Sequence, residues 1–478
     1  MVPHASLVLV GVLVIALDLV RVRRRTCCLG VITAIGAGLV LALDWRGPSG
    51  SLWGGLAVAD GFARAFDTVF LVTLALVAVG SAHSESRAVF AGEHFGLLAF
   101  ATVGLMLTAS AASLLVLYVG VELSSICLMG LVGFAKTERR SAEAAIKLFV
   151  VGAVASAVTL YGAGIIYGFA GSTEYSRIVA ALGSGGAQYP WILWLGVACV
   201  LAGLGFKVAA VPFHLWAPDV YEGAPTPVTA FLSTASKAAG MAALLRFLLV
   251  AFNFAGDRWL PAVVLLSLGS MLLGNVIAIA QTNLKRMLAY SGIAQAGYML
   301  TAVAGASAPG NSLAVGSVLM YTLLYAFTNV GGFLLAHAVA DATGSDDIRA
   351  LRGLHRRAPL LAATALVVLF SLGGIPPLAG FVGKLYLFAA AWDGGQVLLV
   401  AVGAGVSVVA LYYYLRVALE AYIKDPEDDT RLSVSRPVSV ALAACVLGTI
   451  AIGVYPKPWV ALGEHAARAL APTVTMRR

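Results

Sequence analysis

The sequence predicts an all-α polytopic membrane protein with about fourteen transmembrane helices. It further predicts two inverted five-helix repeats, helices 4–8 and 9–13, with helices 7 and 12 broken. Three observations carry this. Of 478 residues, 60% are hydrophobic and 11% charged, against about 25% charged in soluble domains. Apolar runs of membrane-spanning length recur along the whole chain. Basic residues collect in alternate loops, as the positive-inside rule requires.

The composition also excludes several classes of protein. A mean hydropathy of +0.93 argues against a soluble enzyme or a disordered chain. The net charge of +8 is interpreted as membrane topology rather than as nucleic-acid binding. All five cysteines lie in apolar segments without a C-x-x-C pair, so they are interpreted as small hydrophobic residues rather than iron–sulfur ligands.

Fourteen segments are apolar and long enough to be membrane helices. They are 5–20, 26–43, 66–82, 92–111, 113–134, 143–169, 190–211, 226–253, 261–280, 287–306, 312–340, 358–392, 396–421 and 437–455. The first is not interpreted as a signal peptide, because its arginines follow the apolar run instead of preceding it. The predicted division is three N-terminal helices (1–90), a first repeat (91–255), a second repeat (256–425) and a final helix with a short tail (426–478).

Basic residues in the loops predict the orientation. If the loop after the first helix is cytoplasmic, the inter-helix loops divide 17 to 4 in favour of that side. An even number of spans with both termini outside follows from this bias.

A small set of ionisable residues falls inside the predicted helices, where charge is expensive and typically functional. Lys237 and Glu122 are predicted near mid-membrane, and Glu122 is the only acidic residue expected so deep. The other members are Lys147 near the cytoplasmic end of helix 6, Lys207 late in helix 7 and Lys384 in helix 12. Desolvation favours an uncharged amine, so buried lysines can exchange protons. The alternative is static buried pairing that fixes helix packing. Arg246 and Arg416, nearer helix ends, are expected to snorkel to the interface.

Two interrupted helices point to where a pathway would run. Helix 7 runs into a stretch with four prolines and His214, and helix 12 contains the Gly373–Pro377 break. Irregular backbone at membrane depth is tolerated where it is buried or lines a water-filled cavity. His214 suits a link between lysines because imidazole titrates near neutral pH; otherwise it is a hydrogen-bonded residue of the break. Paired broken helices about five helices apart indicate related halves, with opposite orientation in the membrane.

Three motifs then identify a family. They are FHLWAPDVYEGAPTPVTAFLS (213–233) continuing to Lys237, NLKRMLAYSGIAQAGY (283–298) and GGIPPLAGFVGK (373–384). They resemble the antiporter-like membrane subunits of respiratory complex I, the proton-pumping NADH-quinone oxidoreductase, over roughly residues 90–425. Within that family the chain is most similar to subunit N, because Lys384 stands where subunit M typically has glutamate. Subunit L is disfavoured because it adds a long lateral helix after the last span.

The resemblance implies roles for individual residues. Glu122 matches the helix 5 glutamate, Lys207 the helix 7 lysine and Lys237 the helix 8 lysine, while Lys147 matches the helix 6 lysine of subunit N. Gln295 departs from the pattern, since a histidine often stands there. Together with His214 and Lys384, these residues would form a relay in which protons enter near Lys147 and Lys207 and leave through Lys384, with Glu122 setting the charge of Lys207.

The resemblance also implies the chain's setting. It would be a translocase subunit in a bacterial plasma membrane, with no cofactor of its own; NADH, FMN, iron–sulfur clusters and quinone would be bound by partner subunits. Expected partners are antiporter-like subunit M, small subunits such as K, the redox arm and the lipid bilayer, with no nucleic acid. Two alternatives remain open: a subunit of a multi-subunit cation/proton antiporter, and a non-conducting assembly scaffold of the membrane arm.

Overall fold

The structure is a computed structural model that describes residues 2–19, 25–82, 90–183, 190–426 and 430–470. The first half of the chain contains α1 (Val2–Asp18), α2 (Arg25–Arg46), α3 (Gly61–Gly80), α4 (Ala91–Ser110), α5 (Leu114–Val132), α6 (Arg139–Ala170), α7 (Tyr175–Leu182), α8 (Trp191–Val208), α9 (Trp216–Gly223), α10 (Thr226–Phe231) and α11 (Lys237–Arg246). A short antiparallel hairpin, β1 (Gly50–Leu52) and β2 (Ala57–Ala59), joins α2 to α3.

The second half contains α12 (Gly256–Ile279), α13 (Leu284–Gly305), α14 (Ser312–Thr343), α15 (Leu354–Arg357), α16 (Pro359–Gly373), α17 (Ala379–Asp393), α18 (Val397–Tyr422), α19 (Arg436–Val454) and α20 (Lys457–Leu470). Short π-helical turns at Leu232–Ser236 and Phe247–Ala251 flank α11.

The predicted class of a polytopic, all-helical membrane protein is confirmed, with the β1–β2 hairpin as the only strand pair among the described residues. Each of the fourteen predicted segments coincides with a helix or a broken pair of helices. Within the described ranges, eleven helices are long and apolar enough to cross a membrane by themselves, and fourteen crossings remain a prediction. Several basic residues on which the predicted orientation depends lie outside the described residues: Arg21, Arg23, Arg24, Arg87, Arg477 and Arg478.

Both predicted helix breaks are present. Predicted helix 7 corresponds to α8, which ends at Val208. Ala209 then takes a left-handed conformation (φ 59°), and the chain becomes helical again as α9 at Trp216. The amide of Val211 in this break donates to Ser270 Oγ of α12 at 2.9 Å, because α8 leaves it no helical acceptor. Predicted helix 12 corresponds to α16 and α17. The first ends at Gly373, Gly374 has φ 87°, and the second begins at Ala379. Proline at 376 and 377 prevents the helix from continuing through the second break.

Burial separates the core helices from the peripheral ones. The composite helix Thr226–Ala251 and α14 are each 94% buried over their most apolar window, whereas α6 is 17% buried. The outer surface of α6 consists of exposed apolar side chains such as Val150, Val154 and Tyr161. This pattern is typical of a surface that faces lipid or another subunit. The motif residues therefore lie inside the bundle, and α6 lies on its outside.

Candidate functional site

Lys207 lies in the last turn of α8, next to the first helix break, with its ammonium buried against α5. Its Nζ donates to Ser124 Oγ at 2.9 Å and to Ser125 Oγ at 3.0 Å. The lysine lies directly beside the break, since α8 ends one residue later, at Val208. Hydroxyl groups accept from the charged amine and also donate to the neutral one, so this environment supports both protonation states.

Glu122 lies one turn before Ser125 on α5 and is half-buried in this chain. No ion pair joins it to Lys207, but the two side chains line the same small cavity, of about 20 Å³. A second cavity of similar volume runs from Lys207 to Ser236, the residue before Lys237. Each is large enough for about one water molecule, so water could bridge Glu122 to Lys207 and extend toward Lys237.

Lys237 is the first residue of α11 and is 2% exposed. Its Nζ donates to the carbonyl of Gly292 on α13 and lies 5.7 Å from the ring centroid of Tyr325 on α14. A Cβ at position 292 would lie 3.3 Å from Nζ and 3.0 Å from the Tyr325 hydroxyl, so a larger residue there would require both side-chain ends to shift slightly. Within the described part of the chain the Tyr325 hydroxyl has no hydrogen-bond partner, so it can bind water or a proton carrier.

Lys384 lies on α17, after the second break. Its Nζ donates to the carbonyl of Gly373 at 3.1 Å and lies 4.7 Å from the ring centroid of Tyr298. Gly373 is the last residue of α16, so the broken helix itself supplies the oxygen that holds the lysine. This arrangement parallels Lys207, which also lies beside the end of a broken helix.

A cluster of buried polar side chains lies between the Lys237 and Lys384 regions, and apart from Gln295 its members were not predicted from the sequence. Gln295, one turn after Gly292, accepts from Tyr321 Oη at 2.5 Å and donates to the Leu372 carbonyl at 3.1 Å. Tyr414 Oη lies 2.5 Å from Ser291 Oγ and 3.4 Å from Gln295 Nε2. Further members of the cluster are Asn275, Tyr298 and Tyr413. In the sequence, the tyrosines within the apolar runs were the signal that could have indicated this cluster.

Lys147 was expected among the buried lysines, in helix 6 (α6), but the structure places it at the surface. Its side chain is 42% exposed and forms ion pairs at 2.9 Å with Glu143 and with Asp219 of α9. Asp219 also pairs with Arg286 at 2.7 Å, and Arg286 with Glu222 at 3.0 Å. The reason is that Lys147 is only two turns from the start of the peripheral helix α6. It belongs to a surface charge network, defined here by these five residues.

His214 lies in the first helix break, as predicted, and is buried. Among the described residues its Nδ1 has no hydrogen-bond partner, and no hydrogen bond joins its ring to Lys207 or Lys237. The expected link between the lysines would therefore need water or a movement of the break.

Of the two arginines expected to snorkel, Arg246 is buried in an ion pair instead. Arg246 is 4% exposed and makes a bidentate pair with Asp60 at 2.9 and 3.0 Å, while its Nε donates to the Ala109 carbonyl at 2.8 Å. Arg416 donates to the carbonyls of Ile279 and Gln281 at the end of α12. Unsatisfied carbonyls at a helix C-terminus attract cations, which explains why Arg416 binds there.

Two buried acidic residues were also missed. Asp67 of α3 is 2% exposed and Asp44 of α2 is buried as well, so two carboxylates near helix ends are buried in addition to the predicted Glu122 position. The predicted helices ended at 43 and began at 66, whereas α2 continues to Arg46 and α3 starts at Gly61. Both aspartates had consequently been assigned to loops or helix ends.

Comparison with known proteins agrees with this geometry. Residues 111–410 match the family model described as NADH:quinone oxidoreductase/Mrp antiporter, TM. NADH-quinone oxidoreductase subunit N of Heliobacterium modesticaldum is 41% identical over 468 residues, covering 97% of each chain. The subunit N of Moorella thermoacetica is 42% identical over 450 residues, covering 94% of this chain and 93% of its own.

Solved structures give the same result. A chain of respiratory complex I from Thermus thermophilus with bound aureothin superposes with a TM-score of 0.79 at 32% identity, covering 96% of this chain and 98% of that one. A chain of the Mrp complex from Dietzia sp. DQ12-45-1b superposes with a TM-score of 0.83 over 99% of this chain and 98% of its own, but at 22% identity, so that likeness shows the fold alone. The family predicted from the three motifs is confirmed: the chain belongs to the NADH-quinone oxidoreductase subunit N family of antiporter-like membrane proteins.

Proposed function

We propose that this chain is the proton-translocating subunit N of a bacterial NADH-quinone oxidoreductase, coupling electron transfer from NADH to quinone to proton export. It acts within the membrane arm beside antiporter-like subunit M and small subunits such as K, and it is driven by the redox arm. The relatives of about 40% identity, which carry the name NADH-quinone oxidoreductase subunit N, support this assignment.

One observation about the lysines carries the proposal. Lys207, Lys237 and Lys384 are buried, and within the described part of the chain none has a carboxylate within 4 Å. Each is held by hydroxyl or carbonyl oxygens only. A lysine retained for packing would need a counter-charge, since a buried unpaired ammonium is strongly disfavoured. Lysines without one gain and lose protons more readily.

The proposed pathway follows from these positions. Protons enter from the cytoplasmic side at the surface charge network around Lys147 and reach Lys207, whose charge responds to Glu122 across the shared cavity. They pass to Lys237 with His214 and water as carriers, and then through the cluster around Gln295 to Lys384 and outward. Moving one charge across 100 mV takes about 2.3 kcal/mol, and the redox arm supplies that energy.

The two halves, helices 4–8 and 9–13, are proposed to be inverted repeats, and a shared backbone pattern supports this. In each half, the segment before helix 5 (α5) or helix 10 (α13) forms backbone hydrogen bonds with the segment after the next long helix, α6 or α14. The bonds are Leu114 N to Thr173 O and Tyr175 N to Ala112 O in the first half, and Leu284 N to Asp346 O and Ile348 N to Thr282 O in the second, at 2.8–2.9 Å. The helices enclosed, α6 and α14, both have 32 residues and end at a glycine of positive φ. The proposed domains are accordingly the N-terminal helices (1–90), the first repeat (91–255), the second repeat (256–425) and the final helix with its tail (426–478).

The remaining parts of the proposal concern cofactors and location. This chain binds no redox cofactor, and NADH, FMN, iron–sulfur clusters and quinone are bound by partner subunits. The chain is a multi-pass membrane protein, and we place it in the bacterial plasma membrane with both termini outside. The 17 to 4 division of basic loop residues supports that orientation.

A second candidate is a subunit of a cation/proton antiporter, which the fold likeness to the Mrp complex favours. A strain lacking this chain, complemented with the wild-type gene, separates the two. Subunit N predicts that complementation restores NADH-driven quinone reduction and proton pumping in membrane vesicles without sodium. Sodium-dependent proton movement in the absence of NADH would favour the antiporter instead.

A Glu122→Gln variant tests the non-conducting scaffold. Glutamine keeps the size of the side chain and removes its charge, so the complex should assemble while pumping falls. A fully assembled complex with normal pumping in both Glu122→Gln and a Lys237 variant would favour the scaffold.

A further inference from the structure

The Tyr325 hydroxyl and the Lys237 ammonium face the same point beside Gly292. Apart from the neighbouring residues and the backbone of α13, they are the only two heavy atoms of the described residues within 4 Å of the place where a Cβ of residue 292 would stand, at 3.0 and 3.3 Å respectively. The two atoms are therefore no further apart than these two distances together, and no direct hydrogen bond joins them within the described part of the chain. A single water molecule can bridge a gap of this size between polar atoms.

Asn329 of α14 fixes the chain directly before Lys237. Its Nδ2 donates to Ser233 Oγ at 2.7 Å and to Thr234 Oγ1 at 2.9 Å, and both hydroxyls belong to the π-helical turn that precedes α11. Residues four apart on a helix project to the same face, so Tyr325 and Asn329 face this segment together. Helix α14 thus holds the lysine and the tyrosine in register, as proton transfer between two groups through one water requires.

The cluster around Gln295 begins one helical turn away on the same two helices. Gln295 follows Gly292 by three residues on α13, and Tyr321 precedes Tyr325 by four on α14. At 1.5 Å per residue these steps are about 4.5 and 6 Å along the two helices. Their opposite directions agree, because the start of α13 lies beside the end of α14. The level of Lys237, Gly292 and Tyr325 is thus directly followed by the level of Gln295 and Tyr321.

The Tyr325 hydroxyl differs from its neighbours in having no fixed partner. The hydroxyl of Tyr321 is bound to Gln295 and that of Tyr414 to Ser291, whereas the Tyr325 hydroxyl is buried without a partner among the described residues. A hydroxyl is both donor and acceptor, and its proton turns to suit its surroundings. A hydroxyl without a fixed partner can therefore accept a proton on one side, release its own on the other side and turn back.

We propose that the Tyr325 hydroxyl carries the proton from Lys237 toward the cluster around Gln295, by way of a water molecule held beside Gly292. This inference rests on the proposed function, to which it adds the connection between these two sites. An N–H bond of the ammonium breaks as the water takes the proton, and the water gives one of its own protons to Tyr325 Oη. The original hydroxyl proton passes to water on the side of Tyr321. The lysine is left neutral, the tyrosine is unchanged, and one proton has moved.

Proton pumping per electron pair by the assembled complex tests the proposal. Tyr325→Phe removes the hydroxyl alone and keeps the ring beside Lys237, so assembly should be normal because no hydrogen bond within the chain is lost. We expect pumping to fall about tenfold or more. The ratio of quinone-reduction rates in H₂O and D₂O should rise, because the interrupted proton step then limits the rate. Tyr175→Phe is the control and should change neither quantity: Tyr175 of α7 is also buried, but it packs against Phe247 and the pathway does not use it.

Two variants of Gly292 test the water molecule separately. Alanine and serine place the same Cβ beside the two polar atoms, and both leave the carbonyl that binds Lys237 in place. Only serine adds a hydroxyl, which can donate and accept in place of the water. We expect Gly292→Ala to reduce pumping as strongly as Tyr325→Phe, and Gly292→Ser to retain about threefold more pumping than Gly292→Ala. The double variant of Gly292→Ala and Tyr325→Phe should be no worse than either alone, because both interrupt one connection.

Other outcomes overturn the proposal. Normal pumping by an assembled Tyr325→Phe complex would do so, as would an equal loss in Tyr175→Phe. A smaller amount of assembled complex with normal pumping in what remains would make the Tyr325 hydroxyl structural. Equal pumping by the alanine and serine variants of Gly292 would exclude the water molecule. Failure of the proposed function is distinct, since it would appear as normal pumping in Lys237→Ala, whereas failure of this inference alone leaves Lys237→Ala defective and Tyr325→Phe normal.

Discussion

Removing either partner of the Asp60–Arg246 pair should destabilise the chain strongly. Arg246 is 4% exposed, and among the described residues its guanidinium is bound, apart from Asp60, only by the Ala109 carbonyl and lies over the Phe62 ring. Breaking a buried pair by removing one partner costs about 3–5 kcal/mol. Asp60→Ala also loses the cap of α3, about 1 kcal/mol more, so we expect about 4–6 kcal/mol for alanine and about 3–5 kcal/mol for asparagine, which keeps the cap.

A double-mutant cycle of Asp60→Asn and Arg246→Met measures this directly, from the free energy of unfolding of the purified chain in mixed micelles. The double variant leaves no unpaired charge, so it should be about 2 kcal/mol or more less destabilised than the sum of the singles. Glu464 and Arg468 form an exposed pair at 3.1 Å, and the same cycle there should give under about 0.5 kcal/mol. Equal coupling energies for the two pairs would refute the reasoning.

Three further predictions concern function and topology. Replacing Ser124 and Ser125 together by alanine should reduce pumping with normal assembly, because the Lys207 ammonium loses both hydroxyl partners; unchanged pumping per electron pair would speak against a role for this contact. A reporter fused after Arg140 should be cytoplasmic and one fused after Arg478 periplasmic, whereas termini on opposite sides of the membrane would mean an odd number of spans. The purified chain should show no NADH oxidation or quinone reduction, and flavin or iron–sulfur absorbance that co-purifies with it would contradict this.

Helix positions and both breaks could be predicted because they depend on local sequence. Apolar runs identify membrane helices, and proline removes a backbone donor wherever it stands. The three buried lysines followed from the same runs, since Lys207, Lys237 and Lys384 each lie within one. The motifs around these lysines made it possible to predict the protein family.

Pairings between distant segments could not be predicted in the same way. Asp60 and Arg246 are 186 residues apart, and nothing in either local sequence indicates the other. Helix ends were a second source of error, because one turn more or less placed Asp44 in a loop and Asp67 at the very start of its helix. Lys147 shows the reverse case: an apolar helix was assumed to bury it, but α6 lies at the periphery of this chain.

The cluster between Lys237 and Lys384 combines both difficulties. Its members come from α12, α13, α14 and α18, and a single tyrosine in an apolar helix is as compatible with packing as with proton transfer. Only the fold shows that Gln295 contacts Tyr321, Tyr414 and the end of α16 at once. A glutamine at this position is therefore part of a buried polar cluster, although it replaces the histidine that often stands there in the family.

The most direct test of the central claim is proton pumping per electron pair in membranes that contain Lys237→Ala or Lys237→Arg, normalised to assembled complex. Alanine leaves no group to hold a proton beside Gly292 and Tyr325, and arginine holds its proton permanently. Both variants should therefore lose most pumping, and tight coupling should slow quinone reduction with it. Near-normal pumping by a fully assembled Lys237→Ala complex, or rescue by arginine, would contradict the account.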